Sequence, residues 1–98
     1  MVAAQQPVAG LVLFSYPFHR PGRPDEQRTA HWSDIKCPVL FLSGESDPFA
    51  RIDIFRAAVA KWKKAELVTY PGVGHGLYRK PAAFEDALDR TAAFLSRL

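Results

Sequence analysis

The chain has 98 residues, 48% hydrophobic and 23% charged, with a formal net charge of +3. That balance describes one globular domain, or part of one, with a modest core, and it excludes a disordered chain. Its basic residues are scattered, and the densest group, Lys61, Lys63 and Lys64, falls at the end of an expected helix, where cations complement the dipole; the pattern argues against a nucleic-acid partner.

Met1 to Gly10 carries no basic residue and no long apolar stretch, so it does not read as a secretory signal. No apolar run approaches the ~20 residues of a membrane span, and a soluble, cytoplasmic chain with no membrane partner is expected. With Cys37 as the single cysteine, no internal disulfide can form, which fits a reducing compartment. Cys37 stands directly before Pro38 with no activating neighbour and reads as a buried, inert thiol.

Ala9-Gly-Leu-Val-Leu-Phe14 is a continuous apolar run of strand length, the pattern of a strand buried on both faces. Tyr16 to Ser33 follows as an irregular loop punctuated by Pro17, Pro21, Gly22 and Pro24, with at most a short helix over Asp25 to His31. Val39-Leu-Phe-Leu42 is a second buried strand, ended by Ser43-Gly44. Pro48 to Lys64 reads as a helix with Ile52, Phe55, Val59 and Trp62 on one stripe. Glu66 to Tyr70 is a third strand, closed by Pro71-Gly72. Pro81, a favoured first helical residue, opens a last helix on which Phe84, Ala87, Leu88, Thr91, Leu95 and Leu98 form the core stripe.

Strand, loop, strand, helix, strand, helix is the order of an α/β fold with a small parallel sheet and right-handed crossovers. The first strand is apolar yet has no earlier strand to pair with. Such an edge calls for further chain or a partner chain to cover it.

Two segments carry the chemistry. Pro38-Val-Leu-Phe-Leu-Ser-Gly44-Glu-Ser-Asp47 and Glu66-Leu-Val-Thr-Tyr-Pro-Gly72-Val-Gly-His75 each run from an apolar strand through a glycine turn to a polar residue. Parallel strands would bring Asp47 and His75 to one sheet edge, where α/β folds keep their sites. Asp47 has two readings: a carboxylate that orients an imidazole, or the N-cap of the helix after Pro48. Glu45 is an alternative acid or a solvated turn residue. His75, flanked by Gly74 and Gly76, reads as a displayed general base or as an exposed loop histidine; the glycines leave its ring uncrowded and permit unusual backbone angles. Ser15 and Ser43 stand at strand ends on the same edge but outside any strained, glycine-flanked turn, and read as ordinary strand-end residues.

Gly72-Val-Gly-His-Gly76 lacks the lysine and Ser/Thr of a phosphate loop. His19, His31 and His75 show no paired ligand spacing, so no metal is expected, and no cofactor. His19, Arg20 and Arg23 in the long loop read as an anion-binding group or as solvated charge.

On these residues the chain resembles the C-terminal part of an α/β-hydrolase, within the dienelactone-hydrolase-like branch that includes the testis-expressed and chromatin-complex hydrolase-like proteins. Leu11-Val-Leu-Phe-Ser-Tyr-Pro17, His19-Arg-Pro-Gly22 and Arg28-Thr are similar to that branch's strand and loop after the nucleophile helix. Asp47 takes the place of the family's acid, and His75 that of its histidine. The resemblance implies a partial α/β-hydrolase fold, about three parallel strands with two flanking helices, over residues 1–98 as the C-terminal portion of one domain. It also implies serine-hydrolase chemistry on an ester-type small-molecule substrate. The family's Gly-x-Ser-x-Gly nucleophile turn occurs nowhere in the sequence. Met1-Val-Ala-Ala-Gln5 looks like the tail of the helix that follows that turn, so the resemblance implies a fragment beginning just after the nucleophile or a short product that lost it.

Two functions follow as expectations. One is a hydrolase half carrying acid and base, inactive and marginally stable until a missing N-terminal half supplies the serine. The other is a non-catalytic module that docks through its uncovered first strand onto a partner chain or itself.

Overall fold

The three apolar runs form three parallel strands, β1 (Leu11–Phe14), β2 (Val39–Gly44) and β3 (Ala65–Tyr70), in the sheet order β1-β2-β3. Two helices accompany them, α1 (Ile52–Ala60) and α2 (Pro81–Ser96), and single 3-10 turns stand at Trp32–Asp34 and Leu77–Arg79. The computed structural model describes residues 9–30 and 32–98. The expectation of a helix tail over Met1 to Gln5, and the residue His31, lie outside the described residues.

Leu11 pairs with Val39 and Phe14 with Leu42. On the other side Val39 pairs with Ala65 and Gly44 with Tyr70. Among the described residues only β2 has a strand on both sides, and every one of its residues is buried. Its side chains alternate between two cores, as the pleat requires. Val39 and Phe41 join Phe18, Trp32, Phe55 and Val59 on the α1 face. Leu40 and Leu42 join Tyr70, Leu77, Ala87 and Phe94 on the α2 face. The first core is aromatic: the rings of Phe18 and Phe55 lie 4.9 Å apart and those of Trp32 and Trp62 5.0 Å apart. Each such ring contributes about 1.5–3 kcal/mol through burial.

The two helices differ from their sequence expectation, while the long loop stays irregular. The helix expected from Pro48 to Lys64 is confined to Ile52–Ala60, because the residues before it form a turn bonded to other parts of the chain. Its far end tightens through Lys61 N–H to the Ala58 carbonyl at 3.3 Å and Trp62 N–H to the Val59 carbonyl at 2.9 Å. No helix forms over the described residues Asp25–Ala30. There the loop bonds across itself: Arg28 N–H donates to the Phe18 carbonyl (2.6 Å) and the Tyr16 hydroxyl to the Arg28 carbonyl (2.6 Å). On α2 the buried residues are Ala87 and Phe94, seven apart, while Leu88 and Leu95 are exposed at 48% and 52%. The face turned to the sheet therefore keeps Ala87, with Phe84 and Thr91 half-buried, and takes Phe94 in place of Leu88 and Leu95.

Cys37 is half-buried. No helix among the described residues is long and apolar enough to cross a membrane.

Candidate active site

The carboxyl ends of β2 and β3 are bonded together beyond the sheet. Glu45 N–H donates to the Tyr70 carbonyl (2.9 Å) and Ser46 N–H to the Val73 carbonyl (2.9 Å). The two loops can approach this closely because residue 44 is glycine. A Cβ built there would collide with the Val73 carbonyl oxygen and lie 2.5 Å from that of Gly74. Gly44 is thus needed for space, since its φ is not in the left-handed region. Gly72 is needed for conformation: at φ +72° after Pro71, with Val73 N–H reaching the Tyr70 carbonyl at 3.4 Å, it fits the second central position of a type II turn.

Those contacts bring together Asp47 and His75. Asp47 Oδ2 accepts a hydrogen bond from His75 Nδ1 at 2.8 Å. The Asp47 side chain is 0% exposed and the His75 side chain 43% exposed. A buried carboxylate bonded to Nδ1 fixes the proton on that nitrogen and leaves Nε2 bare. Nε2 has no hydrogen-bond partner among the described residues. The imidazole can therefore accept a proton at Nε2 and return it, with the carboxylate stabilising the imidazolium.

Asp47 also settles its second reading. Its Oδ1 accepts the Phe49 N–H at 2.8 Å, a local Asx turn. The N-cap of α1 is Arg51, which has no side-chain cap. One carboxylate oxygen shapes the turn and the other meets the histidine. Glu45 faces a different set: its carboxylate accepts from the Thr69 hydroxyl (2.7 Å) and lies 3.7 Å from Arg56.

Phe49, which nothing in the sequence marked, packs on the histidine at a tilt of 39°, with ring centroids 4.5 Å apart. A ring on one face limits the rotation of the imidazole. Below the loop, the Tyr70 hydroxyl donates to Asp86 Oδ2 at 2.8 Å, tying the end of β3 to α2. Burial first, then the Asp86 hydrogen bond and charge, push the Tyr70 phenol well above its ordinary pKa.

The flanking glycines play a smaller part than expected. Neither Gly74 nor Gly76 has a positive φ. Ser15 corrects an expectation in the other direction: it holds φ +53°, a strained conformation for a residue with a Cβ. No hydrogen bond joins it to His75 among the described residues. Ser43 is 0% exposed, and its hydroxyl is buried without a hydrogen-bond partner among the described residues. It is closed to any substrate. The loop cations are occupied: Arg20 and Arg23 lie 2.7 and 3.5 Å from Glu26. An open depression of about 650 Å³ between His19, Pro24, Glu45, Asp47 and Arg51 adjoins the acid.

A parallel sheet whose strand ends carry an acid and a histidine in hydrogen-bond contact is the arrangement of a hydrolase-like α/β protein. A family model described as an alpha/beta hydrolase domain matches residues 1–96. The chain belongs to the α/β-hydrolase family.

Proposed function

We propose that this chain is the acid- and base-bearing C-terminal portion of a serine hydrolase acting on ester-type bonds, in the dienelactone-hydrolase-like branch. The observation that carries the reading is the 2.8 Å contact from His75 Nδ1 to the buried Asp47 carboxylate, with Nε2 left bare. In the complete site, His75 Nε2 takes the proton from a serine hydroxyl as its oxygen attacks the substrate carbonyl. The proton then passes to the leaving alkoxide, and water repeats the sequence to release the acid. Asp47 orients the ring and stabilises its positive form. The serine and the oxyanion donors come from a segment outside these 98 residues, so the chain by itself is inactive.

The test is reconstitution with an upstream α/β-hydrolase half that carries Gly-x-Ser-x-Gly, followed by assay of ester hydrolysis. His75→Ala should lower kcat on the order of 10⁶-fold. Asp47→Asn, which preserves the shape but not the charge, should lower it by about 10⁴-fold. Hydrolysis that survives His75→Ala unchanged would sink the reading.

A second reading has its own observation. β1 has one partner strand among the described residues, and Phe14, Leu88, Leu95 and Leu98 are exposed. A non-catalytic module docking through this edge onto another chain would bury them. Light scattering decides: a stable monomer that never associates argues against it.

A further inference from the structure

His19 is 2% exposed, and the acid–base chemistry makes no direct use of it. All of its hydrogen-bonding nitrogens are nevertheless committed. Its backbone N–H donates to the Phe49 carbonyl at 2.8 Å. Its Nδ1 donates to the Arg20 carbonyl at 2.8 Å, and its Nε2 accepts the Arg51 N–H at 2.9 Å. A backbone amide can only donate, so Nε2 is bare and the ring proton sits on Nδ1. One neutral tautomer satisfies both contacts.

The groups it holds are not ordinary loop backbone. Arg51 is the N-cap of α1, and its amide is one of the helix's first donors, for which no intrahelical carbonyl exists; His19 Nε2 is the acceptor it finds. Phe49 and Arg51 lie at the far end of the turn that starts at Asp47. Within that turn, Phe49 N–H donates to Asp47 Oδ1 (2.8 Å) and Ala50 N–H to the Asp47 carbonyl (3.1 Å). The Phe49 ring in turn lies on His75. A shift of the Phe49–Arg51 backbone would therefore move the carboxylate by one route and the imidazole by another.

We propose that His19 is a positioning residue for the Asp47–His75 pair, gripping the Asp47–Arg51 turn by the Phe49 carbonyl and the Arg51 amide so that Asp47 Oδ2 stays aimed at His75 Nδ1. This rests on the reading of Asp47 and His75 as acid and base. His19 makes no hydrogen bond to the side chain of either member of the pair; it acts through backbone from a separate loop.

A role confined to stability would leave His75 unaffected in any variant that folds, and this separates the two. In the full chain with ¹⁵N-labelled histidine, long-range ¹⁵N–¹H correlations report which nitrogen of neutral His75 carries the proton. His19→Asn is too short to reach the Arg51 amide but can still donate to the Arg20 carbonyl. His19→Gln places an amide oxygen where Nε2 stood and restores the acceptor. Phe94→Ala is the control for general destabilisation: it opens the buried core beside Gly10, at the other end of the sheet.

The expected result is a wild-type His75 protonated on Nδ1, loss of that preference in His19→Asn, and its retention in His19→Gln and Phe94→Ala. A folded His19→Asn chain whose His75 matches wild type would overturn the proposal, as would an equal loss in Phe94→Ala. Should His19→Asn not fold, His19→Gln decides: a folded Gln variant with the Nδ1 preference lost means the acceptor is not what positions the pair. A wild-type chain without the Nδ1 preference would instead strike the acid–base reading itself, and the role of His19 with it.

Discussion

The two ends of β2 and its neighbours are built to different standards. At the carboxyl ends, backbone bonds from Glu45 and Ser46 to Tyr70 and Val73, a glycine without room for a methyl group, and the His19 and Phe49 contacts all converge on Asp47 and His75. Along β1 and the outer side of α2 the opposite holds: a strand with one partner among the described residues, and leucines at 48% and 52% exposure. The tightly bonded end is the one the proposed chemistry uses, and the apolar flank is the surface that the proposed completion or docking would cover.

The comparison breaks most readily at Gly44. Gly44→Ala should destabilise the chain by about 3 kcal/mol, because the obstructing atoms are backbone carbonyls that cannot rotate away. It should also separate His75 from Asp47, read as loss of the Nδ1 preference. A denaturant midpoint close to wild type would show that the two loops are not in contact.

A smaller effect is expected where the site end is tied to α2. Tyr70→Phe removes a hydrogen bond to a carboxylate and leaves Asp86 to pair with Arg90, 3.5 Å away, at a loss of about 1–2 kcal/mol. Burial of the phenol, together with that bond and the Asp86 charge, makes stability fall in alkali. The folded phenol titrates above its ordinary value, so the unfolded chain loses its proton first. The contribution is complete below about pH 10 and declines as pH rises beyond it. In Tyr70→Phe that alkaline decline should be shallower, measured by urea unfolding across pH.

The smallest effect on stability is expected on the flank, where Leu95→Lys should change unfolding free energy by no more than about 0.5 kcal/mol. Its effect should appear in association instead: less self-association, or weaker capture by an upstream half. A loss of several kcal/mol would mean that Leu95 is already buried in the chain as it stands.

The sequence carried the sheet because β1, β2 and β3 are apolar runs bounded by turn residues, and such runs need no tertiary information to be recognised. It brought Asp47 and His75 to one sheet edge because each follows a strand and a glycine turn. What it did not carry depends on contacts between distant segments. α1 loses its first expected turn because Asp47 Oδ1 and His19 Nε2 take the amides of Phe49 and Arg51, residues 2 and 32 positions away in sequence. Gly44 looked like a turn residue, and its real constraint is the passing loop that bears His75. On α2, Leu88 and Leu95 were read into the core stripe beside Ala87 because they are as apolar as a core face, and only the neighbouring strands tell the two faces apart. Phe49 had no signal at all; an aromatic after Asp-Pro acquires meaning only once His75 lies against it.

The central claim is that a buried carboxylate sets the tautomer of an exposed imidazole. It is tested most directly by the ¹⁵N spectrum of His75 in the full chain, at a pH where the ring is neutral, beside that of Asp47→Asn. The account expects the proton on Nδ1 and a bare Nε2 in wild type, with that preference weakened when the charge is removed. A wild-type ring protonated on Nε2, unchanged by Asp47→Asn, would contradict it.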